Sequence, residues 1–201
     1  MSGLILKDLY NIRKQAIWYV VMIILFSVLS IVLKNAAFAY AIGILVTISI
    51  PLAAIAYEEK DGWQKFAIAS GMDIKTIVGE KFFLGVVFAI IGSVAYTIVV
   101  VIIGTEENRV TELIASICMQ LLMLAAVLPI VFRFGAEKGR TYMIAAVVVL
   151  LAVFIAVMPF YGRIVGDEEI IFAVCMIFFA VLSVCISLFI SIRIYKARNF
   201  R

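Results

Sequence analysis

Six apolar stretches of this chain, at about 16–33, 36–56, 82–103, 113–132, 142–160 and 170–192, contain no Asp, Glu, Lys or Arg. A bilayer core needs roughly 20 apolar residues as a helix, and backbone polar groups there must be satisfied within their own segment. Each stretch therefore reads as a membrane-spanning helix. A barrel is disfavoured, because the runs are long and uniformly apolar rather than alternating. The first stretch is slightly short, and Gln15 and Lys34 can extend it by snorkelling. Only 15% of the 201 residues are charged and 66% are hydrophobic, too little charge for an ordinary water-exposed surface. The sequence predicts an all-α, polytopic membrane protein with six transmembrane helices in one domain, 1–201.

Basic residues set the orientation. With the N-terminus inside, 14 of the 17 Lys and Arg residues face the cytoplasm, and only Lys34, Arg109 and Arg163 face outward. The positive-inside rule favours this arrangement, and six spans return the C-terminus to the cytoplasm. The tightest connection is Lys34-Asn35, which joins the first two spans only if both helices run into the turn. The N-terminus lacks the pattern of a cleaved signal peptide, so the first run is expected to be a true span.

The largest polar segment between spans is 57–81. Trp63, Phe66 and Ala67 share helical spacing there and predict a short amphipathic helix. It should stop near Ser70-Gly71, and Asp73 should cap a second helix whose apolar residues Ile74, Ile77 and Val78 run into the third span. Such a helix can dock a cytoplasmic partner or lie on lipid headgroups with Trp63 as its anchor. The N-terminal segment 1–15 is also amphipathic. Leu4, Ile5, Leu9 and Ile12 alternate with Lys7, Asp8, Arg13 and Lys14, as in an elbow along the inner interface or an extension of the first span. The loop 133–140 contains two glycines and mixed charge, and reads as a tight turn or a second partner contact. Basic residues of the C-terminal tail can meet anionic membrane lipid. No nucleic-acid role is called for.

Inside the spans polarity is mild. Gly85, Ala89, Ser93 and Thr97 recur at four-residue spacing in the third span, and Ser183, Ser187 and Ser191 in the sixth. Small residues at this spacing let helices approach closely, within the chain, at a dimer seam or along a translocation path. Pro51 and Pro129 lie in the inner halves of their spans and are compatible with hinges. No acid or base sits at mid-membrane, where proton- or sodium-driven carriers usually need one. The chain has no histidine, no metal-ligand cluster and no phosphate-binding loop, and its three cysteines sit in apolar runs. These features predict no catalytic residue, no metal and no cofactor. Active transport by this chain requires energy from a separate protein.

Four pieces, in order, carry a family resemblance: Gly3 to Leu9 before the first span, Tyr57-Glu58-Glu59-Lys60-Asp61-Gly62-Trp63-Gln64-Lys65-Phe66 after the second, Ile74 to Phe82 before the third, and Pro129 to Arg140 after the fourth. Together they resemble the small six-helix bacterial permeases of the ABC-2 type, related to phenol-soluble modulin and antimicrobial-peptide exporters. One departure is Ala69-Ser70-Gly71, where relatives often place Leu-Pro. The resemblance implies an ABC-2 (type V exporter) permease fold in a bacterial cell membrane. It implies an elbow carrying Leu4, Lys7, Asp8 and Leu9, and an ATPase-coupling helix with Glu58, Glu59, Lys60, Asp61, Trp63, Lys65 and Phe66. The implied partners are a cytoplasmic ABC-type ATPase and a second permease copy or paralogue, in a 2+2 assembly that exports hydrophobic or amphipathic cargo.

Two other functions compete. A substrate-binding membrane subunit of an ATP-driven importer should carry polar ligand-binding residues on its outer loops, which here are short and mostly acidic. A regulatory membrane protein without transport activity would have no ATPase partner.

Overall fold

The computed structural model describes residues 2–104, 109–164 and 169–199. Among these residues the chain is helical throughout: α1 (Ser2–Leu33), α2 (Ala37–Lys60), α3 (Trp63–Ala69), α4 (Ile74–Ile103), α5 (Arg109–Ile164) and α6 (Glu169–Asn199). The most enclosed helix is α2, which packs against α1, α4 and α5, while α5 also packs against α4 and α6. Ile48, Leu52 and Ile55 of α2 meet Val78 and Phe82 of α4 and Met123, Leu128 and Phe132 of α5 in one buried cluster. The outward faces stay apolar, with Phe83, Ile90 and Ile98 on α4 and Phe178, Phe179 and Phe189 on α6 exposed. Helices that meet lipid on one side and each other on the other require such a surface.

The expectation of six spans is not met. Among the described residues four helices are long and apolar enough to cross a membrane: Ala37–Lys60, Ile74–Ile103, Leu113–Val149 and Ala173–Arg198. A fifth is reached only by counting Leu6–Arg13 and Ile17–Leu33 of α1, bent by 73°, as one span. The main reason lies in α5. The stretches 113–132 and 142–160 were expected as separate spans, but both fall in one helical run, two helices joined across a kink at Gly135 (φ 81°, ψ 170°), in which, among the described residues, only Leu113–Val149 is long and apolar enough to cross. Two glycines among charges usually mark a loop. Here helical geometry resumes directly after Gly135, so 133–140 is a sharp break and not a separate connection. Most side chains of 150–172 lie outside the described residues, and so does the short outer connection at 105–108.

Local signals explain the other ends. Lys34 adopts a left-handed conformation (φ 51°) between α1 and α2. The turn is stitched by Asn35 Oδ1, which accepts from the Ala37 amide at 2.9 Å, and by Ser30 Oγ, which accepts from the Ala39 amide at 2.8 Å. Gly62, at φ 67°, turns the chain from α2 into α3. Gly71 (φ 80°) follows α3, and the Asp73 side chain caps α4 by accepting from the Lys75 amide at 3.2 Å. A side-chain acceptor at this position satisfies an amide that the helix leaves without a partner.

Candidate functional site

A cluster of charged residues surrounds the adjacent Glu58 and Glu59 in the last turn of α2. Glu58 is buried and points to α1 and α4. Its Oε1 accepts from Lys7 Nζ at 2.5 Å and from Lys81 Nζ at 2.7 Å. Lys81 is fully buried and also donates to Asp8 Oδ2, which is fully buried too. Glu80 Oε2 lies 3.8 Å from Lys81 Nζ. Neither oxygen of the Glu80 carboxylate accepts a hydrogen bond among the described residues. Lys7 Nζ sits 3.3 Å from the centre of the Trp63 ring of α3, a cation–π contact. Five charged groups and one aromatic ring thus join α1, α2, α3 and α4. Asp8, Glu58 and Glu80 converge closely enough to hold a cation, but the Lys81 ammonium already stands between the first two and supplies the compensating charge.

Glu59 faces the other way, toward α5 and α6. Its Oε2 accepts from the Ala136 amide at 2.7 Å, and its Oε1 accepts from Arg198 Nη2 at 2.9 Å. Arg198 Nη1 donates to the Phe132 carbonyl at 3.2 Å. Phe132 and Tyr195 pack edge to face beside this contact, with ring centres 5.7 Å apart. Lys7 and Arg198, far apart in sequence, therefore reach adjacent residues of α2.

The expected coupling residues divide into two groups. Glu58, Glu59 and Trp63 are turned into the protein, whereas Lys60, Asp61 and Phe66 are exposed. Trp63, Phe66 and Ala67 do not share one face: Ala67 is buried, Trp63 packs partly against the core, and Phe66 is 66% exposed. The helix is only seven residues long and enters from a left-handed glycine, so its buried edge is set by Ala67 and Gln64. Lys65 lies on α3 with its side chain outside the description. On α1, Lys7 and Asp8 point toward the bundle while Leu6 and Tyr10 are exposed; Ile12 is buried and Arg13 is exposed. Leu4 is half-buried, and the Leu9 side chain is outside the described residues.

The small-residue positions of α4 pack inside the chain. A Cβ on Gly85 would collide with Leu124 of α5, and Ala89 and Ser93 are fully buried. Thr97 bonds back to the Ser93 carbonyl at 2.9 Å. On α6, Ser187 Oγ donates to the Ala125 carbonyl of α5 at 2.5 Å, while Ser183 bonds within its own helix.

Two features escaped sequence reading. Gln120, fully buried in α5, donates from Nε2 to Ser93 Oγ at 2.9 Å and accepts from Thr47 Oγ1 at 2.7 Å. It fills the crossing of α2 and α4 where a Cβ on Gly92 would lie 3.2 Å from the Gly43 Cα. The signal was present, since Gln120 is the one amide side chain within the six stretches, but one neutral amide in an apolar run does not reveal its partners. The second feature is Glu80, hidden by its adjacency to a span boundary.

No curated protein and no solved structure matches the chain. A family model described as ABC-2 family transporter protein matches residues 3–196, nearly the whole sequence. The chain therefore belongs to the ABC-2 transporter family, as a polytopic membrane permease and not an enzyme.

Proposed function

We propose that this permease is the membrane half of an ATP-driven exporter, that the end carrying Glu58 and Glu59 faces the cytoplasm, and that α3 docks a separate ABC-type ATPase. The observation that carries this reading is α3 itself. It presents Phe66 outward beside the exposed Lys60 and Asp61, while its inner edge is fixed by buried Ala67 and Gln64 and by Trp63 under Lys7. A rigidly backed aromatic residue with a charged rim suits a protein contact. The excess of basic residues in the segments joined at this end supports the cytoplasmic assignment. Two permease copies, or this chain with a paralogue, would enclose a path for hydrophobic or amphipathic cargo, peptide or lipid-like, in a bacterial plasma membrane. Under this reading the elbow is the segment before the 73° bend of α1, anchored by Lys7 and Asp8.

The test is affinity purification of the tagged protein in mild detergent, with identification of what accompanies it. A soluble ATPase should be retained, and Phe66→Ala should reduce the retained amount about tenfold, the typical effect of truncating a contact anchor. Recovery of the protein alone, under conditions that preserve such complexes, would count against the reading.

A further inference from the structure

We propose that Glu59 makes the break in α5 a controlled joint, so that the angle at Gly135 follows the position of the α2–α3 segment and carries the end of α6 with it.

The argument starts from the backbone. Gly135 has φ 81° and ψ 170°, a region open essentially to glycine alone. Where a helix breaks, the amides after the break lose the carbonyls that they would have met four residues earlier, and the carbonyls before it lose their amides. In this chain two other helices satisfy one group on each side. The Ala136 amide, just after the break, donates to Glu59 Oε2 of α2. The Phe132 carbonyl, just before it, accepts from Arg198 of α6. Glu59 and Arg198 are then paired with each other at 2.9 Å. An anionic group at the start of a helical segment is favoured by the helix dipole, so Glu59 acts as a cap supplied from a different helix.

The fit is also steric. A Cβ on Gly135 would lie 3.2 Å from both Glu59 carboxylate oxygens and 3.5 Å from Arg198 Nη2. The glycine is thus needed both for its conformation and for the closeness of the carboxylate. Glu59 is two residues from Asp61, where the chain turns toward α3. A shift of α3 acts on the Glu59 backbone directly, and its carboxylate moves the Ala136 amide. The use of this joint in transport rests on the docking reading of α3, whereas the joint itself does not.

The experiment is hydrogen–deuterium exchange on the full-length permease in lipid nanodiscs, without any partner. Glu59→Leu should raise exchange in the segment 132–140 by roughly tenfold to a hundredfold, the range for losing a hydrogen bond to a charged group. Exchange in 192–199 should rise in the same variant, and the 16–33 segment should not change. Glu59→Gln keeps an acceptor for Ala136 and should show a smaller increase. Arg198→Gln alters a partly exposed side chain, so it keeps the test open should Glu59→Leu fail to fold; it should raise exchange in both segments by severalfold. Unchanged exchange in 132–140 across the variants that fold would overturn the joint, and so would a uniform rise along the whole chain. Failure to retain an ATPase would instead remove only the docking reading, because this measurement involves no partner.

Discussion

Two polar regions hold this bundle together, and they are built in opposite ways. At one end, Lys7, Asp8, Glu58 and Lys81 form a largely buried cluster of ion pairs from three helices, with the Glu80 carboxyl beside them. In the middle of the bundle, Thr47, Ser93 and Gln120 form a neutral knot from three helices. The difference follows from what each site must resist. Neutral groups cost less than charges to desolvate, and once hydrogen-bonded to one another they can fix a close helix crossing deep in the apolar region without any compensating charge. Charges are expensive to bury and strong once paired. They stand where helices begin and end, and where the chain needs separate segments to move as one.

The comparison can be broken most directly at the charged end. Lys81→Met removes the cation shared by Asp8 and Glu58 and leaves buried carboxylates uncompensated. The expected loss is about 3–5 kcal/mol, read from the shift in denaturant midpoint in detergent. A loss below that of any mid-bundle variant would reverse the ranking of the two regions. Packing beside the neutral knot is the next test. Gly85→Val forces a side chain against Leu124 and should cost about 1–3 kcal/mol by the same measurement. An unchanged midpoint would mean that α4 and α5 separate easily at this level. The smallest effect is expected at the knot itself. Gln120→Leu removes two hydrogen bonds but frees the single Thr47 hydroxyl proton to donate to the Gly43 carbonyl instead, so about 0.6–1.7 kcal/mol should be lost. A larger loss would make the knot the principal polar fastening of the fold.

Much of this architecture was legible in sequence where a residue acts on its own neighbourhood. Asp73 caps α4 because its carboxylate reaches an amide two residues away, and Gly62 and Gly71 turn the chain because glycine tolerates positive φ. The apolar run at 36–56 matches α2 apart from its capping Ala36, and the run at 82–103 lies within α4; α2 runs on to Lys60 and α4 already starts at Ile74. The span count failed because charge and glycine at 133–140 resemble a loop. The backbone groups flanking Gly135 are met instead by distant residues, the Ala136 amide by the Glu59 carboxylate and the Phe132 carbonyl by the Arg198 guanidinium. The site was legible only in part for the same reason. Glu58 and Glu59 could be singled out as a charged pair on the inner segment. That they turn inward, to Lys81 on one side and Arg198 on the other, depends on partners that no local pattern specifies. Lys7 and Asp8 of α1 likewise turn to Glu58 and Lys81, while Leu6 and Tyr10 are left exposed.

Whether the charged end acts as one fastening between α1 and α4 is best tested by a double-mutant cycle on Asp8→Asn and Lys81→Met, with stability measured for both single variants and the pair. A coupling energy of about 1–3 kcal/mol is expected, because either substitution alone leaves the other residue buried without its partner. Additive losses, agreeing within about 0.5 kcal/mol, would contradict a shared fastening, because Asp8 and Lys81 would then contribute without coupling to each other.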